Sequence, residues 1–378
     1  MTRKNIKKRK KLSIKKLLIF FIPLILIITI LINKNQIKCY YLSKKTGYQE
    51  KTIEVFLDKN IYQQIKKEKY SKTLDNIINS EYYNPKYLDS YININYLEKE
   101  NFFKNINSLL DLGYTDNDIN NIYAKLNNES INIIIQNQHI KDITNIINLS
   151  YFKESYLERY IKYLEKDNNN EIDTSVTYVN IGLDNDYYTN VSKITNQEDI
   201  LVLVNKYHVL ESNYEPNDLE TISSKYNRSV NGKLRKVAKE AFEKMCEAAK
   251  KDNITIYNGS GYRSYNYQKS LYNRYVSIDG LKAAETYSAR PGYSEHQTGL
   301  ALDIINGRGS FISHTDKEYT WLINNSYKYG FILRYPKGKE NITGYMYEEW
   351  HFRYLGLDVA KKVYDSNITY DEYIAKNN

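Results

Sequence analysis

Two separated segments of the sequence carry side chains that could bind a metal ion. Residues 294–303 include His296 and Asp303, seven positions apart, and residues 348–351 end at His351. Imidazole nitrogens and carboxylate oxygens are common zinc ligands, and a catalytic zinc ion takes three protein ligands and keeps one position open. Asp303 lies within an apolar run, where a carboxylate is costly to bury unless it is paired or bound to metal. We therefore predict that His296, Asp303 and His351 hold one Zn²⁺.

A carboxylate close to such an ion could move protons during hydrolysis. Glu348 lies three residues before His351, and Glu349 is its immediate neighbour. A carboxylate beside a metal-bound water can take up its proton and return that proton to a leaving amine. In an extended segment the two side chains point in opposite directions, so only one of them can face the ion. The residue types alone leave both open.

Arg263 is a further candidate for the chemistry. It follows a short apolar segment in a Gly-Tyr-Arg-Ser turn. The guanidinium fork could hold the oxyanion of a tetrahedral intermediate or a substrate carboxylate. Taken by itself, the same pattern is more typical of a surface arginine in a turn.

Short strands and longer helices must position these residues. Apolar runs predict strands at residues 200–204, 300–305 and 350–354, and an apolar stripe with a period near 3.6 predicts a helix at 233–251. Strand alternation places Ala301 and Asp303 on one face of their strand. Helices and strands are mixed without a regular βαβ rhythm, which predicts an α+β fold.

Four motifs together resemble a known family. They are Ser-x-His-x-x-Gly-x-Ala-x-Asp at 294–303, Glu-x-x-His at 348–351, Ser-Gly-Tyr-Arg-Ser at 260–264 with a glutamine at 268, and Ala-Arg-Pro-Gly-Tyr-Ser at 289–294. In this order they are similar to the zinc D-Ala-D-Ala peptidases of the VanY type. The resemblance covers about residues 198–360.

The resemblance implies a fold, an activity and a role for each site residue. It implies a small α+β domain with an antiparallel sheet that removes the terminal D-Ala from peptidoglycan stem peptides. L,D-carboxypeptidase or endopeptidase activity on the same fold, or a non-catalytic peptidoglycan-binding role, are the alternatives. The resemblance implies that His296, Asp303 and His351 bind the zinc ion and that Glu348 is the general base and acid. It further implies that Arg263 stabilises the transition state and that Ser294 and Gln268 contact the substrate peptide.

The N-terminus differs from the rest of the chain in charge and hydropathy. Residues 1–16 hold nine basic and no acidic side chains, and the remainder has 45 of each sign, so the net charge of +9 belongs to this tail. Nucleic-acid binding needs a basic face on the folded body and is therefore not expected. Residues 17–32 are almost wholly apolar, which predicts a transmembrane anchor with a cytoplasmic tail and an extracellular body on the cell-wall side. A cleaved signal peptide is the alternative.

The remaining chain divides into two regions by its composition. Residues 33–195 are polar with apolar side chains at helical spacing, which predicts a helical spacer; a wall-binding or partner-binding module is the alternative. Residues 196–378 contain every motif and form the predicted zinc carboxypeptidase domain. The two cysteines, Cys39 and Cys246, are too few for a disulfide framework.

Overall fold

The computed structural model describes residues 14–166 and 171–377, and the chain divides after residue 147 into two compact units. Residues 1–13 of the predicted basic tail lie outside the described part. The first unit, as far as it is described, consists of helices. Their bounds are α1 Ile14–Thr46, α2 Glu50–Asp58, α3 Tyr62–Ile65, α4 Lys72–Ile78, α5 Leu88–Asn93, α6 Phe102–Asp111, α7 Asp116–Lys125, α8 Asn128–Gln136 and α9 Ile143–Asn148, which ends at the division.

Local sequence signals explain where these helices begin and what they bury. In α7 the hydroxyl of Thr115 accepts a hydrogen bond from the backbone N–H of Asp118, and the carboxylate of Asp118 accepts one from the backbone N–H of Thr115. This capping box satisfies N–H groups that the first helical turn leaves unpaired. The apolar stripe of α6 is buried at Ile106, Leu109 and Leu110. The helical period of this region therefore produces a packed helical unit.

The first helix is the candidate membrane segment. Within α1, the 26 residues Phe21–Thr46 are long and apolar enough to cross a membrane, and a signal sequence would pass the same test. The helix continues to Thr46, beyond the predicted end of the anchor at residue 32. At 1.5 Å per residue these 26 residues span about 39 Å, which exceeds the hydrocarbon core of about 30 Å.

The second unit mixes helices with a sheet, so the predicted α+β class is confirmed. Its elements are α10 Leu157–Lys166, α11 Ile172–Ile181, β1 Ser192–Lys193, β2 His208–Val209, β3 Leu219–Thr221, β4 Lys233–Arg235, α12 Lys236–Lys251, β5 Ile256–Ser260, α13 Tyr265–Asp279, α14 Leu281–Tyr287, β6 Ala301–Asn306, α15 Lys317–Asn325, β7 Phe331–Leu333, α16 Glu340–Thr343, β8 His351–Tyr354, α17 Gly356–Ser366 and α18 Tyr370–Asn377. Helices α10 and α11 thus belong to the same compact unit as the sheet, although they precede residue 195.

A four-stranded antiparallel sheet forms the centre of this unit. The strand order is β5-β6-β8-β7, and every residue of β6 is buried. The register pairs Asp303 of β6 with His351 of β8 on one side and with Ser260 of β5 on the other. Two of the three predicted metal ligands are therefore brought side by side by strand pairing alone.

The core lies between this sheet and α12. Phe242, Met245 and Ala249 of α12 are fully buried and belong to one cluster with Leu302 of β6 and Phe352 of β8. Apolar side chains at i, i+3 and i+7 occupy one face of a helix, which explains why this face turns inward. The packing holds the sheet, and with it the ligand-bearing strands, against a rigid helix.

Two of the strand and helix predictions are wrong in detail. Residues 200–204 form no strand, because their carbonyl groups bond to side chains instead of a neighbouring strand: those of Ile200 and Val202 accept from Arg353, and that of Leu201 accepts from Tyr370. The predicted helix at 233–251 starts at residue 236, since residues 233–235 pair with β3 as strand β4.

Candidate active site

Three potential metal ligands converge in the second unit. His296 lies in the short 3-10 turn Glu295–Thr298, Asp303 lies in β6, and His351 is the first residue of β8. The Nε2 atom of His296 is 3.4 Å from Oδ1 of Asp303, and Nδ1 of His351 is 3.1 Å from the same oxygen. One ligand atom from each residue lies within 4.8 Å of the other two, and all three residues are buried. These residues form a group that could hold a metal ion.

Hydrogen bonds select the nitrogen that each imidazole presents. Nδ1 of His296 is 2.7 Å from the carbonyl oxygen of Gly261, so it donates its proton there and leaves Nε2 as an acceptor. Position 261 has no room for a side chain, because a Cβ there would lie 2.4 Å from the carbonyl oxygen of Lys233. For His351 it is Nδ1 that faces Asp303.

This donor set fits a zinc ion. Two imidazole nitrogens and one carboxylate oxygen are the ligands of many catalytic zinc sites. Bonds of about 2.0–2.1 Å in tetrahedral geometry place neighbouring ligand atoms about 3.3 Å apart. The 3.4 Å and 3.1 Å separations that join Asp303 to His296 and His351 agree with this spacing.

Asp303 is shared between the two histidines and Arg263. Its Oδ2 accepts a hydrogen bond from Nη2 of Arg263, and Nε of the same guanidinium donates to the hydroxyl of Ser260 at 3.0 Å. Burial alone would raise the pKa of Asp303, but His296 and Arg263 hold that pKa well below its usual range. Asp303 therefore stays a carboxylate, as metal binding requires.

Glu348 lies beside the ligand group and is nearly buried. Its Oε2 is 3.8 Å from Nδ1 of His351. Burial, together with the nearby charge of Asp303, raises the pKa of Glu348 to about 7, although His351 and Arg263 act in the opposite direction. Its neighbour Glu349 points away and contacts Nδ1 of His314 at 2.5 Å. Of the two candidate carboxylates, only Glu348 faces the ligands.

All seven residues singled out in the sequence line one cavity of about 280 Å³. Ser294 and Gln268 form part of its wall, next to Ser288 and Ala289. The Nε2 group of Gln268 donates to the carbonyl of Ala289 at 2.9 Å, and its buried Oε1 has no partner among the described residues. Aromatic and apolar side chains complete the wall: Phe311, Tyr335, Tyr345, Met346 and Trp350.

A buried charge network behind the ligands was not predicted from the sequence. Oε1 of Glu295 accepts from Nε of Arg334 at 2.8 Å and from Nη1 of Arg353 at 3.0 Å, and all three side chains are fully buried. Arg334 also donates to Asp371 at 2.6 Å, and Asn205 donates to the other oxygen of Asp371 at 2.8 Å. The sequence does contain one signal of this network, which is a charged residue inside an apolar strand, such as Arg353. The partners of such residues are distant in the sequence and cannot be identified from it.

Comparisons with known proteins identify the family of this chain. Residues 231–357 match the VanY family, described as D-alanyl-D-alanine carboxypeptidase. The putative carboxypeptidase YodJ of Bacillus subtilis (strain 168) is 41% identical over 207 residues, which cover 51% of this chain and 76% of that protein. The chain belongs to the VanY family.

Further proteins that are similar to this VanY-family chain have two descriptions. The D-alanyl-D-alanine carboxypeptidase of Enterococcus faecalis (strain ATCC 700802 / V583) is 36% identical over 188 residues, 47% of this chain and 66% of that protein. The solved structure of the LD-carboxypeptidase LdcB is 42% identical and covers 50% of this chain and 91% of that chain, with a TM-score of 0.47. The VanY match contains every residue of the candidate site and no part of the first unit.

Proposed function

We propose that this chain is a zinc-dependent D-alanyl-D-alanine carboxypeptidase that removes the terminal D-Ala from peptidoglycan stem peptides. The observation that carries the proposal is the convergence of His296, Asp303 and His351, with Glu348 on the cavity side of the same group. Membership of the VanY carboxypeptidase family supports the reaction class. His296 through Nε2, Asp303 through Oδ1 and His351 through Nδ1 would hold the metal.

A zinc ion held there would supply a Lewis acid, whose chemistry is to activate water and to polarise a carbonyl group. Glu348 then accepts the proton of the attacking water and delivers it to the amine of the departing D-Ala. Burial disfavours the charged form of Glu348 and raises its pKa, which favours uptake of a proton by its carboxylate. Burial of Glu348 in the cavity wall is therefore what suits it to this role.

Arg263, Ser294 and Gln268 are proposed to bind and orient the peptide. The Arg263 guanidinium lines the cavity while it holds Asp303, so it can stabilise negative charge that develops on the carbonyl oxygen. Gln268 lines the same wall, and the bond from its Nε2 to the carbonyl of Ala289 fixes its side-chain amide beside the space proposed for the peptide. Ser294 offers a hydroxyl from the adjacent wall.

The long N-terminal helix supports a membrane-anchored enzyme. With a basic N-terminal tail before an apolar helix, the tail would stay in the cytoplasm and the proposed catalytic domain, residues 196–378, would lie on the cell-wall side. Peptidoglycan, the proposed substrate, lies on that side. Of the predicted spacer region 33–195, the helices up to residue 147 would then act as the spacer, because α10 and α11 belong to the unit that contains the sheet.

The test uses the full chain in detergent and two stem peptides, a pentapeptide ending in D-Ala-D-Ala and a tetrapeptide with a single terminal D-Ala. Release of D-Ala from the pentapeptide, its loss on treatment with a chelator and its return with zinc are expected, with mass spectrometry of the products as the readout. Undiminished turnover after metal removal contradicts zinc dependence. Cleavage of the tetrapeptide alone assigns L,D-carboxypeptidase activity instead.

A further inference from the structure

Glu295 lies next to His296 in sequence, but its side chain faces a different ligand. Oε2 of Glu295 is 3.6 Å from Nε2 of His351, on the side of the imidazole ring opposite to Asp303. Within residues 14–166 and 171–377, neither of these two buried atoms has a hydrogen-bond partner. A buried polar group without a partner is destabilising, and a small rotation of the ring would bring the two atoms within hydrogen-bond distance and satisfy both.

The two nitrogens of His351 must play different parts. When Nδ1 binds a metal ion, the neutral imidazole carries its proton on Nε2. A carboxylate that accepts this proton in a hydrogen bond fixes the tautomer and the ring orientation, and it makes the ligand nitrogen more basic. Glu295 is the carboxylate that faces Nε2.

Glu295 is itself held rigidly. Its other oxygen, Oε1, is fixed by Arg334 from the end of β7 and by Arg353 from β8, two residues beyond His351. Both arginines are fully buried, so the carboxylate cannot turn toward solvent. The network therefore fixes Oε2 of Glu295 with respect to β8, the strand that begins at His351.

We propose that Glu295 is a positioning residue of the metal centre, whose Oε2 accepts the Nε2 proton of His351 and so presents Nδ1 to the ion. The inference rests on the proposed zinc function and adds to it a carboxylate that does not touch the metal. Removing such a partner weakens metal binding by about 10- to 100-fold. Glu295→Gln should accordingly raise the zinc Kd about 10- to 100-fold.

Asp371→Asn is the matched control. Asp371 is a buried carboxylate paired with the same Arg334, and its recorded hydrogen bonds are to Arg334 and Asn205 rather than to His351. Both substitutions remove one buried negative charge from the network, so both should lower the Tm. Only Glu295→Gln should change the zinc Kd, measured by competition with a chromophoric chelator on the full chain in detergent. Equal zinc affinity in wild type and Glu295→Gln, or equal weakening in the two variants, overturns the proposal.

A measurement on the wild-type protein keeps the test independent of whether either variant folds. With ¹⁵N-labelled histidine and zinc bound, NMR should show a protonated Nε2 and a metal-bound Nδ1 for His351, and the reverse for His296. A zinc-loaded His351 with Nε2 as the ligand nitrogen contradicts the positioning role. Failure of wild type to bind zinc at all is a separate result, because it removes the proposed function itself.

Discussion

Glu348 and Glu349 are adjacent carboxylates with different surroundings. Glu348 is nearly buried, lines the cavity and lies 3.8 Å from His351, whereas Glu349 contacts the exposed His314. Chemical type and sequence position do not distinguish them, but the direction of each side chain does. The pair therefore offers a matched comparison for the proposed proton transfer.

Glu348→Gln should keep zinc and lose most of the activity. The amide keeps the size of the side chain but cannot accept the proton of water, so we expect kcat to fall by about 10²–10⁴-fold. Zinc content by mass spectrometry should stay at one ion per chain. Glu349→Gln is the control and should keep near-wild-type kcat; a Glu348→Gln protein with wild-type kcat would remove the assigned role.

Arg263→Ala tests the second charged residue of the cavity. If Arg263 stabilises the oxyanion, its removal should lower kcat by about 10²–10³-fold. Because the guanidinium also holds Oδ2 of Asp303, the zinc Kd should be measured alongside kcat at saturating zinc. Arg308→Ala changes an exposed arginine in a turn and serves as the control. Wild-type turnover by Arg263→Ala would show that the arginine does not act on the transition state.

Among the elements, α12 and the strand pair β6–β8 determine where the ligands lie. The apolar period that predicts α12 is confirmed at Phe242 and Met245, which are fully buried, but Val237 on the predicted stripe is 37% exposed. The reason is that the helix begins at residue 236, so Val237 lies in its first turn, beside strand β4. Periodicity predicts the face that a helix buries, and it does not show where the helix begins.

Phe242→Ala and Val237→Ala should differ sharply in their effect on stability. Loss of a fully buried phenylalanine removes contacts and leaves a cavity, which costs about 3–5 kcal/mol. Because Val237 is partly exposed, Val237→Ala should lower the free energy of unfolding by about 0.5 kcal/mol or less. Thermal unfolding of the two variants measures the difference, and similar Tm values would contradict the packing of α12 against the sheet.

The limits of sequence reasoning follow from where each partner comes from. The convergence of His296, Asp303 and His351 and the strand β6 were predictable because motif spacing and local alternation carry the information, whereas the preference for Glu348 over Glu349 came from the family resemblance. The role of Glu295 was not, since its partners Arg334 and Arg353 lie 39 and 58 residues away and meet it only after folding. The strand predicted at residues 200–204 is absent for the same reason, because side chains from the C-terminal part of the chain donate hydrogen bonds to the carbonyl groups of these residues.

For the molecule as a whole, the pH dependence of stability has an identifiable contributor in Lys206. Its ammonium group is buried beneath three tyrosine rings and donates to the carbonyl of Glu285 at 2.8 Å. Burial lowers the pKa of Lys206 to about 8, with Arg290 acting in the same direction and Glu285 against it. In the unfolded chain a lysine keeps its proton up to about pH 10.4. As the pH rises, the folded state thus loses this proton at a lower pH than the unfolded state does.

Raising the pH from about 8 to 9.5 should therefore make Lys206 less destabilising. In this window the unfolded state binds more protons, so the free energy of unfolding rises with pH, by at most about 1.4 kcal/mol per pH unit for one group. The measurement is the Tm of wild type minus that of Lys206→Met across the window. Buried tyrosines with raised pKa values, such as Tyr207, lower the free energy of unfolding as the pH rises above about 10, so the window of the measurement ends below that pH. A difference that does not change with pH would contradict the assignment.

The direct pairing of Asp303 with His351 has a consequence for how such a chain can diverge. A one-residue insertion in either strand would turn Asp303 or His351 to the opposite face of the sheet and separate the two side chains. Changes of length are tolerable only in the exposed turns, such as residues 307–310 after β6. The next residue, Phe311, forms a β-bridge with Ile305 and contributes to the cavity wall, so insertions just before it could reshape that wall while Asp303 and His351 stay in place.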